Sequence, residues 1–574
     1  MVMLRQRFHS LLKYSSTKGS GKPFSNFKST TKFISPTVGT KLSNSLSSRL
    51  YDSFWLASLG IIITSYSLYK CSFENNIQLD SIPKLTPEEV SKHSTKDDLW
   101  VVINGQVYDL TTFLPKHPGG QKILLKYAGK DATKIFVPIH PPNALDVYLS
   151  EDAKLGPLVG EFEEIPEEIT PEEIERLDRI DRKPSLSNVL NIHDFEYVAR
   201  QILTPNALAY YTSAADDEVT LRENHNAYHR IFFNPKVLVD VSKVDLSTKF
   251  LGVPTSAPFY VSATALAKLG HEDGEISIAR GTSKENITQM ISTLASCSFD
   301  EIVDGSFIDG KQGSQWYQLY INTDRNLTET QIKHAEERGM NGLFITVDAP
   351  SLGHRERDMK MKFEAELDVD LNADDLETNQ GASKALSSFI DPSVVWKDIE
   401  HIRTLTKLPI VIKGVQRKED VLLAIQHGAQ GVVLSNHGGR QLDFSKAPIE
   451  VLAEVMPLLR EKQLDSKIEV YLDGGIRRGT DILKALCLGA KGVGLGRAFL
   501  YANSAYGENG VRKAIQLLKD ELEMDMRLLG VTRIQDLDES FVDVSALKDR
   551  TVIVAPDYLY KGNYESLDHI QFRE

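Results

Sequence analysis

The residues of this chain whose types and spacing could do chemistry fall into two groups. The first is a pair of histidines. His117 sits in a His-Pro-Gly-Gly turn within TTFLPKHPGGQKILLKYAGKDAT, and His140 follows 23 residues later in IFVPIHPPNA. Two neutral imidazoles facing each other across an apolar pocket are what a non-covalent b-type haem requires. Ile123, Leu124, Leu125 and Phe136 supply apolar surface, and the glycines after His117 would let the backbone approach a porphyrin closely. The second group is a series of polar residues along the second half of the chain. It comprises Thr264, Ser292, Gln318 with Tyr320, Thr346 with Asp348, Lys413, His437 with Arg440, Asp473 with Arg477, and Gly496 with Arg497. Its last members lie in two glycine-rich turns, DGGIRRG and GVGLGR, whose backbone N–H groups and arginines suit a phosphate.

Elements that could position these groups are legible. The run LWVVINGQVYDL at 99–110 reads as two strands joined at Asn104-Gly105, a two-residue hairpin signal. Farther on, β-rich runs occur at 258–265, 289–293, 316–321, 342–348, 409–414, 431–436, 467–475 and 492–496. Helical patterns such as TETQIKHAEERG and RKEDVLLAIQHG lie between most of them. Eight strand-then-helix units predict an α/β (β/α)8 TIM barrel. A doubly wound sheet is the alternative, weakened because no GxGxxG opens the first unit. In a barrel, chemistry belongs at the carboxyl ends of the strands, which is where every member of the polar series falls. DGGIRRG and GVGLGR then follow strands seven and eight, the usual phosphate cradle, and FMN is the natural fit.

Composition narrows the class. The chain has 574 residues, 41% hydrophobic and 25% charged, as in ordinary globular proteins. A net charge of −13 argues against nucleic acid as a partner. Cys71, Cys297 and Cys487 form no CxxC, which excludes covalent c-type haem and cysteine-ligated zinc or iron–sulfur sites. Charge is unevenly spread: residues 1–73 hold ten Lys/Arg and one acid, Asp52, with 16 Ser/Thr in the first 50 positions. The remainder therefore carries −22. The basic, acid-poor leader has the composition of a mitochondrial transit segment. The 17 uncharged residues at 53–69 then suggest two-part sorting to the intermembrane space, or a retained anchor. The expected organisation is a presequence at 1–75, a haem domain at 81–160, an acidic, proline-containing hinge or linker at 161–189 (or a short solvated helix in the same role), a barrel at 190–555 and a tail at 556–574. The polar stretch 359–388 predicts a mobile loop over the barrel mouth.

The first module, by its hairpin and histidines, resembles the cytochrome b5 family, α+β proteins in which these two positions are the axial ligands of haem b. With both axial positions filled, the module would carry single electrons. PFYVSATALAKLG, WYQLY, TVDAP, IKGV, SNHGGRQLD and DGGIRRG occur in the order found in the FMN-dependent 2-hydroxy-acid dehydrogenase/oxidase family, which residues 190–560 resemble. That resemblance implies a substrate carboxylate held by Arg440, with Tyr320 and Tyr210 donating hydrogen bonds. It implies His437 as general base, Asp348 orienting that ring, and Lys413 stabilising reduced flavin. The implied FMN contacts are Ser262, Ala263, Thr264, Ala265, Ser292, Gln318, Thr346 and Lys413. Asp473, Gly474, Gly475, Ile476 and Arg477, with Gly496 and Arg497, would grip the phosphate. Tyr210 would also touch haem, and Leu294 and Ala265 would line the substrate pocket. The combined architecture implies oxidation of L-lactate to pyruvate, cytochrome c as acceptor and a homotetramer. The alternatives are an oxygen-using oxidase, a dehydrogenase for another 2-hydroxy acid, or an electron carrier on an inactive barrel. Ala214, where the family commonly has glycine, and Asn206, where glutamine is expected near haem, depart from the pattern.

Overall fold

The computed structural model describes residues 85–117, 121–162, 170–364 and 389–549. The expected presequence with its apolar stretch, the tail at 556–574 and residues 365–388 of the expected loop lie outside the described residues. Among the described residues, no helix is long and apolar enough to cross a membrane.

The first module is a four-stranded antiparallel sheet of β1 (Ser94–Thr95), β2 (Asp98–Ile103), β3 (Gln106–Asp109) and β4 (Lys154–Pro157). The hairpin falls where the sequence predicts. Asn104 and Gly105 both take positive φ, 51° and 72°, the turn whose twist matches the strands. Alternation along β2 buries both faces. Leu99, Val101 and Ile103 face a core closed by Leu124, Leu125, Ile135, Phe136 and Leu145 from three short helices, whereas Val102 packs with Leu85, Val90 and Val107 on the other side.

Part of the expected linker is helical. α1 (Pro171–Asp181) is capped by the Thr170 side chain and has no buried residue. It docks by hydrogen bonds from Arg176 to the Ile202 carbonyl and from Arg179 to the Gln201 carbonyl, 2.7 Å each. These carbonyls end α2 (Ile192–Ile202), which is followed by α3 (Pro205–Thr212) and α4 (Val219–His229).

The barrel closes as predicted. Its strands are β5 (Phe259–Val261), β6 (Gln289–Ser292), β7 (Gln315–Leu319), β8 (Leu343–Thr346), β9 (Ile410–Val415), β10 (Gly431–Leu434), β11 (Glu469–Asp473) and β12 (Gly492–Leu495), all parallel, with β12 pairing back to β5. The helices that follow successive strands are α5 (Gly274–Lys284), α6 (Phe299–Gly305), α7 (Arg325–Glu337), then α8 (Glu356–Glu364) with α9 (Trp396–Leu405), α10 (Lys418–Gln426), α11 (Pro448–Glu461), α12 (Gly479–Cys487) and α13 (Arg497–Leu529). Part of the expected 359–388 loop is thus the end of α8.

Period two decides what each strand sends inward. Tyr260, Met290, Trp316, Phe344, Val411, Val433 and Tyr471, one from each of seven strands, form a core with Phe250 that is separate from the strand–helix core. β12 contributes glycine because the aromatics already occupy its share: a Cβ on Gly492 would lie 2.5 Å from the Phe250 ring. Two residues farther along each strand, toward the carboxyl ends, the same inward register carries Ser262, Ser292, Gln318, Thr346, Lys413, Ser435 and Asp473. Phe344→Ala should therefore leave a cavity among rigid aromatic neighbours and lower unfolding free energy by about 3–5 kcal/mol. Urea unfolding of the holoprotein would measure it.

Candidate functional site

The carboxyl ends bring one connected set of side chains together. β8 ends two residues before Asp348 and β10 ends three residues before His437. His437 Nδ1 and Asp348 Oδ1 are 2.9 Å apart. The turn that carries His437 is unusual: His437, Gly438 and Gly439 all take positive φ, 59°, 65° and 80°. The Ser435 hydroxyl accepts from the His437 N–H at 3.0 Å and donates to Asp473 Oδ1 at 2.5 Å. Lys413, from β9, is buried with its Nζ 3.9 Å from Asp348 Oδ2 and 3.8 Å from Asp473 Oδ2. Burial alone would raise the Asp348 carboxyl. The charges of His437 and Lys413 outweigh it and hold that group below the ordinary carboxylate range. Gly414 makes room for this pairing: at φ 104°, a Cβ there would stand 2.5 Å from Asp348 Cβ.

Arg440 and Tyr210 meet across the mouth. The guanidinium lies over the Tyr210 ring, 4.9 Å from its centroid, and Nη1 donates to the carbonyls of Tyr210 (2.7 Å) and Ser213 (3.2 Å). Tyr320 is 7% exposed, and burial, reinforced by Asp348 and Tyr210, drives its phenol pKa far up, so it remains a hydrogen-bond donor. Ala214, the departure noted above, does not take positive φ, so its backbone asks for no glycine.

Arg355 was missed in the sequence. It is buried, and its guanidinium is 5.6 Å from the Tyr210 centroid; the signal was the pair of arginines in the HRERD run following the β8 end. Gln441 was missed too: its amide donates to the carbonyls of Asp348 (2.8 Å) and Ser351 (2.7 Å), tying the loop after β8 to the loop after β10.

The expected cofactor residues line the same mouth. Gln318 Nε2 donates to Thr346 Oγ1 at 2.9 Å, and Ser292 Oγ accepts from the Leu294 N–H at 3.2 Å. Ser262 Oγ and Asp348 Oδ2 are buried without a hydrogen-bond partner among the described residues, as expected of atoms awaiting one. Gly474 and Gly475 take φ of 99° and 83°, and Arg477 is buried with its Nη2 3.4 Å from Glu196 Oε2. The open hydroxyl, the buried ammonium and the arginine-backed glycine turn fit FMN. Arg497 is engaged differently from its neighbours: it donates to the carbonyls of Tyr211 (2.8 Å), Gly438 (2.9 Å) and Ser213 (2.9 Å).

In the first module, the His117 and His140 rings are 6.2 Å apart between centroids. An imidazole nitrogen sits roughly 2.0–2.1 Å from a first-row metal, so two axial rings sharing one iron stand about 6 Å apart between centres. The His140 Nδ1 faces the Phe136 carbonyl at 3.2 Å and its ring stacks on Phe136, which leaves Nε2 for iron. Burial drives the His140 pKa down to about 4, so the ring stays neutral as a ligand must be. The site fits haem.

A barrel with this mouth, preceded by a bis-histidine module, defines a class of haem-linked flavin dehydrogenases. Residues 199–544 match the family described as FMN-dependent dehydrogenase and residues 86–159 match the cytochrome b5-like heme/steroid binding domain. The chain belongs to the FMN-dependent dehydrogenase family and is an enzyme with FMN and haem as cofactors. It is 66% identical over 521 residues to L-lactate dehydrogenase (cytochrome) of Wickerhamomyces anomalus, covering 90% of each chain. Identity is 55% over 549 residues to the protein of that name in Saccharomyces cerevisiae, covering 92% of each. Among solved structures, a doubly substituted flavocytochrome b2 with pyruvate bound aligns with TM-score 0.63 at 58% identity, covering 71% of this chain and 99% of that one.

Gly414→Ala should displace Asp348 and with it His437, cutting turnover by roughly 10- to 100-fold while FMN content is retained. Steady-state rates normalised to bound flavin would show it.

Proposed function

We propose that this chain oxidises L-lactate to pyruvate and passes the electrons singly through haem b to cytochrome c. The observation that carries this reading is the His437–Asp348 pair, 2.9 Å apart, beside Arg440 and Tyr320 in a barrel mouth that fits FMN. Support comes from relatives named L-lactate dehydrogenase (cytochrome) along nine-tenths of the chain and from a similar structure with pyruvate bound.

In this reading Arg440 binds the substrate carboxylate. Only its Nη1 is engaged in a hydrogen bond among the described residues, and the remaining N–H groups form a fork suited to a carboxylate. Tyr320 and Tyr210 orient the substrate. His437 takes the proton at Nε2, because Nδ1 is turned to Asp348, and Asp348 stabilises the imidazolium that results. Arg355 adds positive charge beside Tyr210 and helps confine the carboxylate. Ser262, Ala263, Thr264, Ala265, Ser292, Gln318, Thr346 and Lys413 would hold FMN, with Asp473 to Arg477, Gly496 and Arg497 around its phosphate. FMN supplies the two-electron acceptor. His117 and His140 would hold the haem iron, and both being engaged leaves that module to electron transfer.

The same reading takes 1–75 as a presequence for the mitochondrial intermembrane space, 81–160 as the haem domain, 161–189 as the hinge, 190–555 as the flavin domain, 556–574 as a tail, and the assembly as a homotetramer. Leu294 and Ala265 line the substrate side chain's pocket. The net −22 after residue 73 suits a basic acceptor, since opposite charge steers encounter.

Anaerobic mixing of the holoenzyme with L-lactate should bleach flavin first and reduce haem next. His437→Gln should slow the flavin phase by about 10⁴-fold or more, as loss of an essential base does. Flavin bleaching at the wild-type rate in that variant would sink the assignment of the base; peroxide as the product under air would overturn the acceptor. Turnover with cytochrome c should fall steeply as ionic strength rises, because a Debye length near 10 Å at 0.1 M screens the steering; a flat profile would remove cytochrome c from the reading.

A further inference from the structure

The turn that carries the base and the turn that faces the phosphate are held by one helix that belongs to neither. Asn224 and Asn436 are both 1% exposed and exchange two hydrogen bonds: Asn224 Nδ2 donates to Asn436 Oδ1 at 2.8 Å, and Asn436 Nδ2 donates to Asn224 Oδ1 at 2.7 Å. The orientation of Asn436 is set independently. Its Oδ1 also accepts from the Gly439 N–H and its Nδ2 also donates to the Lys446 carbonyl, both at 3.1 Å. Neither amide can flip without placing like groups against each other. The same helix also meets the phosphate turn. His225 Nδ1 hydrogen bonds to the Gly475 carbonyl at 2.9 Å, and a Cβ on Gly475 would fall 2.0 Å from the Asn224 carbonyl oxygen. The contact is therefore backbone on backbone, with no side chain between to absorb a shift.

His437 is held at φ 59°, a left-handed conformation that a non-glycine residue keeps only where its surroundings support it, and two glycines continue the turn. Ser435 restrains this turn at its start, and Asn436 restrains it from within by the Gly439 bond. Asn436 in turn is held from outside the loop by Asn224.

We propose that Asn224 is a positioning residue for the reaction: through Asn436 it sets the placement of His437, and through α4 it makes the catalytic turn and the Gly474–Ile476 turn move as one body. Cofactor binding at the second turn then tightens the first. This inference rests on the reading of His437 as base.

The test uses the holoenzyme with Asn224→Ala, Asn436→Ala, the double variant and His437→Gln as reference. The rate of flavin reduction by L-lactate is expressed per bound flavin, and FMN dissociation is read by flavin fluorescence. For Asn224→Ala the per-flavin rate should fall at least about tenfold with the KM for lactate changed less than about threefold, because Arg440 is anchored separately. FMN should dissociate more readily, and the double variant should lose no more than the worse single variant, since Asn436→Ala already removes the pair through which the Asn224 side chain acts. A role confined to stability would lower the loaded fraction and leave the per-flavin rate unchanged, which overturns the proposal; so do additive losses. Should Asn224→Ala fail to fold, the isosteric Asn224→Asp, which keeps one of the two bonds, is measured instead, and a wild-type per-flavin rate there overturns it equally. If His437→Gln reduces flavin normally, the reading beneath has failed; if it is dead while the Asn224 variants are normal, only this inference has.

Discussion

A buried ammonium at the barrel mouth constrains everything around it. Lys413 is 4% exposed, and its nearest counter-charges are Asp473 at 3.8 Å and Asp348 at 3.9 Å, on strands or loops to either side. An ion removed from water is tolerated only where opposite charge and hydrogen bonds replace the lost solvent. Two carboxylates around one ammonium over-compensate it, and the excess is met from outside: the Ser435 hydroxyl bonds Asp473, and the His437 ring bonds Asp348. The ends of β8, β9, β10 and β11 are thereby locked into one electrostatic unit. If His437 is the base proposed above, a proton arriving there would meet negative charge already in place.

That unit is open on the side facing the segment before the barrel, and helices from that segment complete it. Arg440 and Arg497 both donate to backbone carbonyls at or just after the end of α3, at Tyr210, Tyr211 and Ser213. Arg357 on α8 binds Glu218 through paired contacts of 2.8 Å, and Glu218 accepts from the Ala214 N–H. The pre-barrel helices are thus part of the mouth, although they precede the first barrel strand in sequence. The first module is different: its two facing histidines, its apolar pocket and its sheet come from one continuous stretch.

Much of this was legible because period and order are local properties. The β-rich runs at 99–110 with Asn104-Gly105 between them gave the hairpin, and eight β-rich runs separated by helical patterns gave the barrel to within a few residues at each strand. The mouth residues were legible for the same reason: a parallel barrel presents the last inward residues of every strand at one end, so Ser292, Gln318, Thr346, Lys413 and Asp473 could be read off as a ring. Arg355 and Gln441 escaped because they stand on loops after strands, where no periodicity says which way a side chain turns. The helical part of the 161–189 stretch was legible only as a short solvated alternative to a linker, because α1 buries no residue; it is held by arginine bonds to carbonyls of α2 that leave no hydrophobic pattern.

The sequence by itself determined the two modules, the strand order and the types of side chain at the active end, because these follow from turn chemistry and from periods of two and 3.6 residues. Only the tertiary structure decided which partners those side chains take. Arg497 illustrates the division. Its place after the eighth strand is written in GVGLGR, yet its guanidinium binds carbonyls of residues 211, 213 and 438, two of them nearly 300 positions away. Asn224 and Asn436 likewise find each other across 212 positions. A hydrogen bond depends on distance and direction in space, and for residues so far apart in the chain these exist only once the barrel has closed and the preceding helices have packed across its mouth.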